Sequence, residues 1–327
     1  MTTVGNATGL RLRPYAGEAD LVEIVRLLNA ECVADGLQRR TSLEDIGAIY
    51  AHPSEAFDPR RDVTIAEVDG RVVALAERET VDTTDGLREY RLDGVVDPAW
   101  RRRGIGGAIL AESERIARER ASVDGHPSPV LGSWSWESQP GDRALLEAAG
   151  FEPARWFFDM VRPTLDEVAD VALPEGLDVR PVDLASAPAV WAADIDAFAD
   201  HWGGFDHSEA NLQRWLESPN TDLSLWVIAF DGDEIAGGVV NSIDTDQNAA
   251  LGFRRGWLNS VFTRRAWRRR GLATALVGAS LVRLRERGMT SAALGVDADN
   301  PNGALGLYER LGFAVDQRAI AWRKEIA

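Results

Sequence analysis

The chain has 327 residues, more than one hydrophobic core usually serves, so its length points to about two domains. Its formal net charge of −16 argues against bulk binding to nucleic acid or to an anionic membrane, since both need a positive field. The single cysteine, Cys32, excludes an internal disulfide, and the four histidines show neither HxxxH nor HExxH spacing, so no metal site is expected.

No apolar run approaches ~18 residues, so no membrane span is expected. MTTVGNATGL, at the start, has neither the charged nor the apolar part of an export signal, and a cytoplasmic setting is the expectation. The first strand expected is LRLRP (Leu10–Pro14), followed by helical periodicity in LVEIVRLLNAE and SLEDIGAIYAH. VTIAEVDGRVVALAE (Val63–Glu77) holds two apolar runs joined at Asp69-Gly70, a hairpin signal. A strand, YRLDGVV, leads into AWRRRG (Ala99–Gly104) and then a helix, GGAILAESERIARER. Next come a strand (VLGSWSW), a short helix, and a final strand pair after Gly150-Phe151.

TLDEVADVALPEG (Thr164–Gly176) reads as a linker, after which the order repeats. LDVRP (Leu177–Pro181) matches LRLRP 167 residues on, and LWVIAFDGDEIAGGVV matches the hairpin, with Asp231-Gly232 at its turn. A second AWRRRG (Ala266–Gly271) again precedes small residues and a helix, and Gly312-Phe313 repeats the late Gly-Phe. Residues 1–163 and 177–327 are therefore expected to be two copies of one mixed α+β domain, joined by 164–176.

Each arginine–glycine loop lies between a strand and a helix start, where backbone N–H groups have no intrahelical partner. Small residues let an anion approach that backbone, the helix dipole favours negative charge, and arginine adds bidentate contacts to phosphate. The loops therefore point to a phosphorylated ligand. Neither GxxxxGK[ST] nor GxGxxG with a downstream ribose-binding acid is present.

Arg101-x-x-Gly104-x-Gly106 and Arg268-x-x-Gly271-x-Ala273 resemble the pyrophosphate loop of the GCN5-related N-acetyltransferase (GNAT) superfamily. The second half also carries DNPNGALGLYERLGF (Asp299–Phe313), similar to that family's late Asn and LYxxxGF signature. The resemblance implies an α+β fold whose mostly antiparallel sheet splays between its fourth and fifth strands, with acetyl-CoA in the splay as acyl donor. It implies that Val261, Phe262 and Thr263 follow the pantetheine arm and that Arg268, Arg269, Arg270, Gly271, Leu272, Ala273 and Thr274 cradle the pyrophosphate. Asn300, Asn302, Gly303 and Leu307 would flank the thioester. The matching first-half stretches are Gly94, Val95, Val96 and Arg101, Arg102, Arg103, Gly104, Ile105, Gly106, Gly107.

By the same resemblance Tyr308 is the acid that protonates the leaving thiolate. Its first-half counterpart is Leu146, so the second half is expected to be catalytic and the first degenerate, either acyl-CoA-binding or structural. Relatives that place a glutamate on the fourth strand supply no base here, because FRRGWLNSVF has no carboxylate. Asp297, Asp299 and His201 are the base candidates, with Asp206 behind them. Asp194, Asp196, Asp200, Asp206 and Glu209, around Trp202, form an acidic rim suited to a cationic amine. The expected activity is acetylation of a primary amine on a small molecule, by a monomer or homodimer. The alternatives are acetylation of a cysteinyl amine, as in a two-domain family member with this layout, and a non-catalytic acyl-CoA sensor.

Overall fold

The computed structural model describes residues 9–169, 171–204, 206–300 and 303–326. The first half runs β1 (Leu10–Pro14), α1 (Glu18–Ala34), α2 (Leu43–Ala51), α3 (Pro59–Asp62), β2 (Val63–Val68), β3 (Arg71–Asp82), β4 (Arg88–Val96), α4 (Ile105–Asp124), β5 (Pro129–Trp136), α5 (Pro140–Ala148) and β6 (Glu152–Arg162). The second half runs β7 (Leu177–Arg180), α6 (Ala187–Phe198), α7 (Glu209–Glu217), β8 (Val227–Asp231), β9 (Glu234–Ser242), α8 (Thr245–Leu251), β10 (Arg255–Thr263), α9 (Leu272–Glu286), β11 (Ser291–Asp297), α10 (Ala304–Arg310) and β12 (Ala314–Glu325). The turn between β2 and β3 places Asp69 (φ 51°) and Gly70 (φ 78°) in the left-handed region. A two-residue hairpin turn of matching twist needs this conformation, and Asp-Gly supplies it at low steric cost.

The chain forms two compact units. The described residues of the first lie within 1–155, 202–219 and 319–327, and those of the second within 156–201 and 220–318. The first unit's strands lie in the order β1-β2-β3-β4-β5-β12, and the second's in the order β7-β8-β9-β10-β11-β6. Neighbours within each unit are antiparallel except β4/β5 and β10/β11.

Both parallel contacts are short. Arg88–Arg91 pair with Pro129–Gly132, and Arg255–Leu258 pair with Ser291–Leu294. Beyond them β4 and β10 run on to Val96 and Thr263 without that neighbour, so each sheet splays where the sequence places it.

The final strand of each half differs from the expected strand pair. It is one long strand, and it changes unit. Phe157–Arg162 of β6 pair with β11 in the second unit, while Ala319–Glu325 of β12 pair with β5 in the first. Burial explains the exchange. Met160 (0% exposed) lies in the second unit's core beside Leu294 and Tyr308, and Ile320 and Trp322 (1% each) lie in the first unit's core beside Leu131 and Leu146. Lys324, the only lysine, fixes this end by bonding to Glu114 (2.9 Å) and to the Ala149 carbonyl (2.6 Å). The 164–176 stretch forms no helix or strand among its described residues, and it is no free tether, since Leu165 is buried in the second core.

Candidate functional site

Each arginine–glycine loop begins three residues after the last residue of its splayed strand. The two loops have the same backbone. Arg101 (φ −63°, ψ 159°) matches Arg268 (φ −65°, ψ 157°), and Gly104 (φ 80°, ψ −1°) matches Gly271 (φ 84°, ψ −1°). Arg102 and Arg269 also take positive φ, 63° and 60°, which is uncommon for a side-chain-bearing residue. Alternation between extended and left-handed residues turns successive N–H groups to one side and forms an anion-binding concavity. Gly104 and Gly271 cap α4 and α9 with no side-chain bond to the first turn. The first-turn amides therefore remain free, as a phosphate requires.

The arginines divide by task. Arg101 bonds Asp35 through two nitrogens (2.6 and 2.9 Å) and the Val96 carbonyl. Arg268 bonds Asp200 (2.8 Å), the Ala197 carbonyl and the Thr263 carbonyl. Both brace the loop against its unit's first helix. Arg103 lies over the Trp100 ring at 4.7 Å and donates to Ala99. Among the described residues, the guanidiniums of Arg102, Arg269 and Arg270 have no ion-pair or hydrogen-bond partner, and all three are exposed. Thr263, at the end of β10, has a buried hydroxyl with no partner among the described residues. Free amides, free arginines and an unbonded hydroxyl together fit the phosphates and amide-bearing arm of an acyl-CoA.

In the second unit, the β9–β10 register shifts between Leu258 and Ser260, so a bulge sits at Asn259, where β11 has just been left. Beside it, Asp194 of α6 accepts a 2.5 Å hydrogen bond from the Ser260 hydroxyl. Burial pushes the Asp194 carboxyl up to about 6, against the lowering effect of that bond. The sequence reading placed Asp194 only in the acidic rim. Its spacing was the available signal, since it falls four residues after buried Val190 and three before buried Ala197.

The rim is largely spent on the loop. Asp196 pairs with Arg264 (2.8 Å), and Asp200 pairs with Arg265 and Arg268. The 202–219 stretch belongs to the first unit, where Asp206 accepts from Ser54 (2.7 Å) and pairs with Arg214. Asp297 ends β11, and its carboxylate accepts the Asp299 amide (3.0 Å), while the Asp297 carbonyl accepts the Asn300 amide. Asp299 is exposed in that turn, and the His201 ring packs on Phe198 at 4.3 Å. Asn302 lies outside the described residues. Gly303 (φ 71°) caps α10, and Leu307 packs against the core.

Tyr308 is buried in that core, edge-on to Phe313 at 6.0 Å, and burial raises its phenol above the ordinary value. Its backbone carbonyl accepts the Phe313 amide at 3.0 Å, as that of Leu146 accepts the Phe151 amide at 3.0 Å. The same bond in both halves makes Leu146 the structural counterpart of Tyr308.

The first unit holds a cleft of about 380 Å³. One end is loop backbone: Arg102, Gly104, Gly106 and Gly107. Leu92, Asp93, Gly94 and Val96 of β4 form one wall, and Ser133 and Trp134 of β5 the other. Glu31 and Asp142 also face it, and with Asp35 they converge to within 4.8 Å around Arg101. Burial, reinforced by Asp142 and Asp35, pushes the Glu31 carboxyl up to about 8. Gly94, Val96, Arg101, Arg102, Gly104, Gly106 and Gly107, which the resemblance marked as first-half acyl-CoA residues, all line it, whereas Glu31, Asp93, Trp134 and Asp142 were not singled out from sequence.

No helix among the described residues is long and apolar enough to cross a membrane. The model of the acetyltransferase (GNAT) family matches the chain twice, at residues 23–128 and 189–313. The chain is 27% identical to the mycothiol acetyltransferase of Geodermatophilus obscurus over 313 residues, 94% of either chain. It is 30% identical to that of Salinispora arenicola over 259 residues, 78% of this chain and 79% of the relative. A solved tandem GNAT protein from the clavulanic acid biosynthesis pathway shares its fold at a TM-score of 0.69 and 19% identity, over 97% of this chain and 98% of that one. Two splayed sheets, two matching phosphate-type loops and two family matches lead to one conclusion: the chain belongs to the acetyltransferase (GNAT) family, carries its domain twice, and is an N-acetyltransferase.

Proposed function

We propose that the donor is acetyl-CoA, that the acceptor is a primary amine on a small molecule, and that the second unit performs the transfer. The bulge at Asn259 carries this reading. A bulge frees a main-chain N–H from the ladder, and here it does so where β10 has lost its parallel neighbour. That is where a donor is needed for the oxyanion that develops as the thioester is attacked. In the first unit, β4 pairs with β3 over nine residues with no shift.

In this reading the amides of Arg269–Thr274 hold the pyrophosphate, Arg269 and Arg270 add charge, and residues 261–263 follow the pantetheine arm. Asp194, with its raised carboxyl beside Ser260, takes the ammonium proton, in preference to Asp297, whose carboxylate is bonded within its own turn. Tyr308 stays neutral and gives its proton to the leaving thiolate. The relatives' name makes a mycothiol precursor with a cysteinyl amine the first acceptor to try, although β10 carries no glutamate.

The test is thiol release from acetyl-CoA by the purified chain with a cysteinyl glycoside and a panel of simple amines. Amine-dependent release is expected, with kcat falling about 10²-fold in Tyr308→Phe and CoA affinity unchanged. Tight CoA binding without release for any amine would sink the enzyme reading and leave an acyl-CoA sensor.

A further inference from the structure

We propose that the cleft of the first unit is a second acyl-transfer site, in which Asp93 takes the proton from a cationic primary amine. The proposal rests on acetyl-CoA being the donor, as argued above, but not on the second unit being active. Three observations meet in the cleft. The loop backbone at one end has the same anion-binding conformation as its second-unit counterpart. Asp93 sits on β4, next to Gly94 and just past Arg91, where β4 parts from β5, and it opens into the cleft. Its carboxylate accepts no hydrogen bond from any described residue, so it is not spent on the fold as Asp297 is. Trp134, 39% exposed, lines the opposite wall.

The charges around Asp93 suit a base. Glu77 of β3 lies directly opposite it in the antiparallel register, on the same face of the sheet, and the Tyr50 hydroxyl donates to Glu77. Glu79 of β3, Glu89 and Arg91 of β4, Glu31 of α1, Asp142 of α5, and Arg101 and Arg102 of the loop complete the set. Desolvation, with Glu77 next, pushes the Asp93 carboxyl up to about 7, while Arg91 pulls it down. A base matched to neutral pH transfers protons efficiently.

The step balances without a tyrosine. The ammonium gives one proton to an Asp93 oxygen. The freed nitrogen lone pair forms the C–N bond to the thioester carbonyl carbon, and the C–S bond breaks with its electron pair on sulfur. The second nitrogen proton passes to that thiolate, and Asp93 returns its proton to water through the cleft. Leu146, where the second unit has Tyr308, leaves the thiolate no side-chain acid, so this site should be the slower one.

The experiment uses the full-length chain as wild type, Tyr308→Phe, Asp93→Asn and the double variant, with putrescine, tyramine and cysteine methyl ester as probes. Tyr308→Phe should retain amine-dependent thiol release whose kcat/KM rises through pH ~7. Adding Asp93→Asn should cut that residue at least about tenfold and flatten the profile. No release in Tyr308→Phe, or release unchanged by Asp93→Asn, overturns the second site and leaves the second-unit reading standing. Full release in Tyr308→Phe with loss in Asp93→Asn overturns the second-unit reading and supports this one.

A readout without turnover is the melting temperature between pH 4 and 8. The folded carboxyl titrates above its unfolded value, so wild type should lose stability across that window relative to Asp93→Asn. Parallel curves overturn the proposal.

Discussion

Arg101 and Arg268 open the two signature loops, yet both guanidiniums turn inward to Asp35 and Asp200. The signature reveals a loop; it does not say which arginines face a ligand. Alanine at Arg269 and Arg270 together should weaken CoA binding by one to two orders of magnitude and flatten its salt dependence, measured by calorimetry at two ionic strengths. Arg268→Ala should lower the melting temperature as well, because it removes one of the two arginines paired with Asp200 and the guanidinium that bonds the Ala197 and Thr263 carbonyls. Asp194→Asn should remove an ascending limb near pH 6 from the kcat/KM profile of the cysteinyl substrate. If the limb persists, another base works there. The same substitution should raise stability at pH 7 but not at pH 4, because a carboxyl held above its unfolded value destabilises the fold as pH climbs from about 4 to 6. Asp194 was hard to single out from sequence because an acidic residue on a helix usually faces water, and only the packing of α6 shows that this one does not.

At the scale of elements, the repeated hexapeptide was legible because loop conformation depends on local sequence. Glycine at a left-handed cap and small residues after it specify nearly the same backbone twice. The place of Tyr308 in α10 was legible for the same reason, through the short helix that carries it and the Gly-Phe that follows. The bulge at Asn259 was not legible, since it depends on the register of β9 against β10 and leaves no residue signature. Of the first-unit cleft the loop and the end of β4 were legible, but not the side formed by β5 and α5, which lie far from them in sequence. Gly271→Asp should abolish the cysteinyl-amine activity by placing a carboxylate where phosphate binds. Gly104→Asp should leave that activity near wild type, and thiol-release kinetics of the two variants would show it. The opposite pattern would move the main chemistry to the first unit.

For the whole molecule, the duplication was plain in sequence but the exchange of the last strands was not, because a strand does not name its neighbour. Residues 1–163 and 177–327, made separately, should each fail to give a cooperative unfolding transition, and mixing them should restore one; circular dichroism during thermal unfolding would decide. The exchange also bears on synthesis. The first unit's sheet lacks its last strand until Ala319–Glu325 have left the ribosome, after every strand of the second unit. The hydrophobic edge of β5 must therefore wait unpaired while the second unit is made, and a stop before Ala319 would release a protein whose first unit is unfinished although every strand of the second is in place.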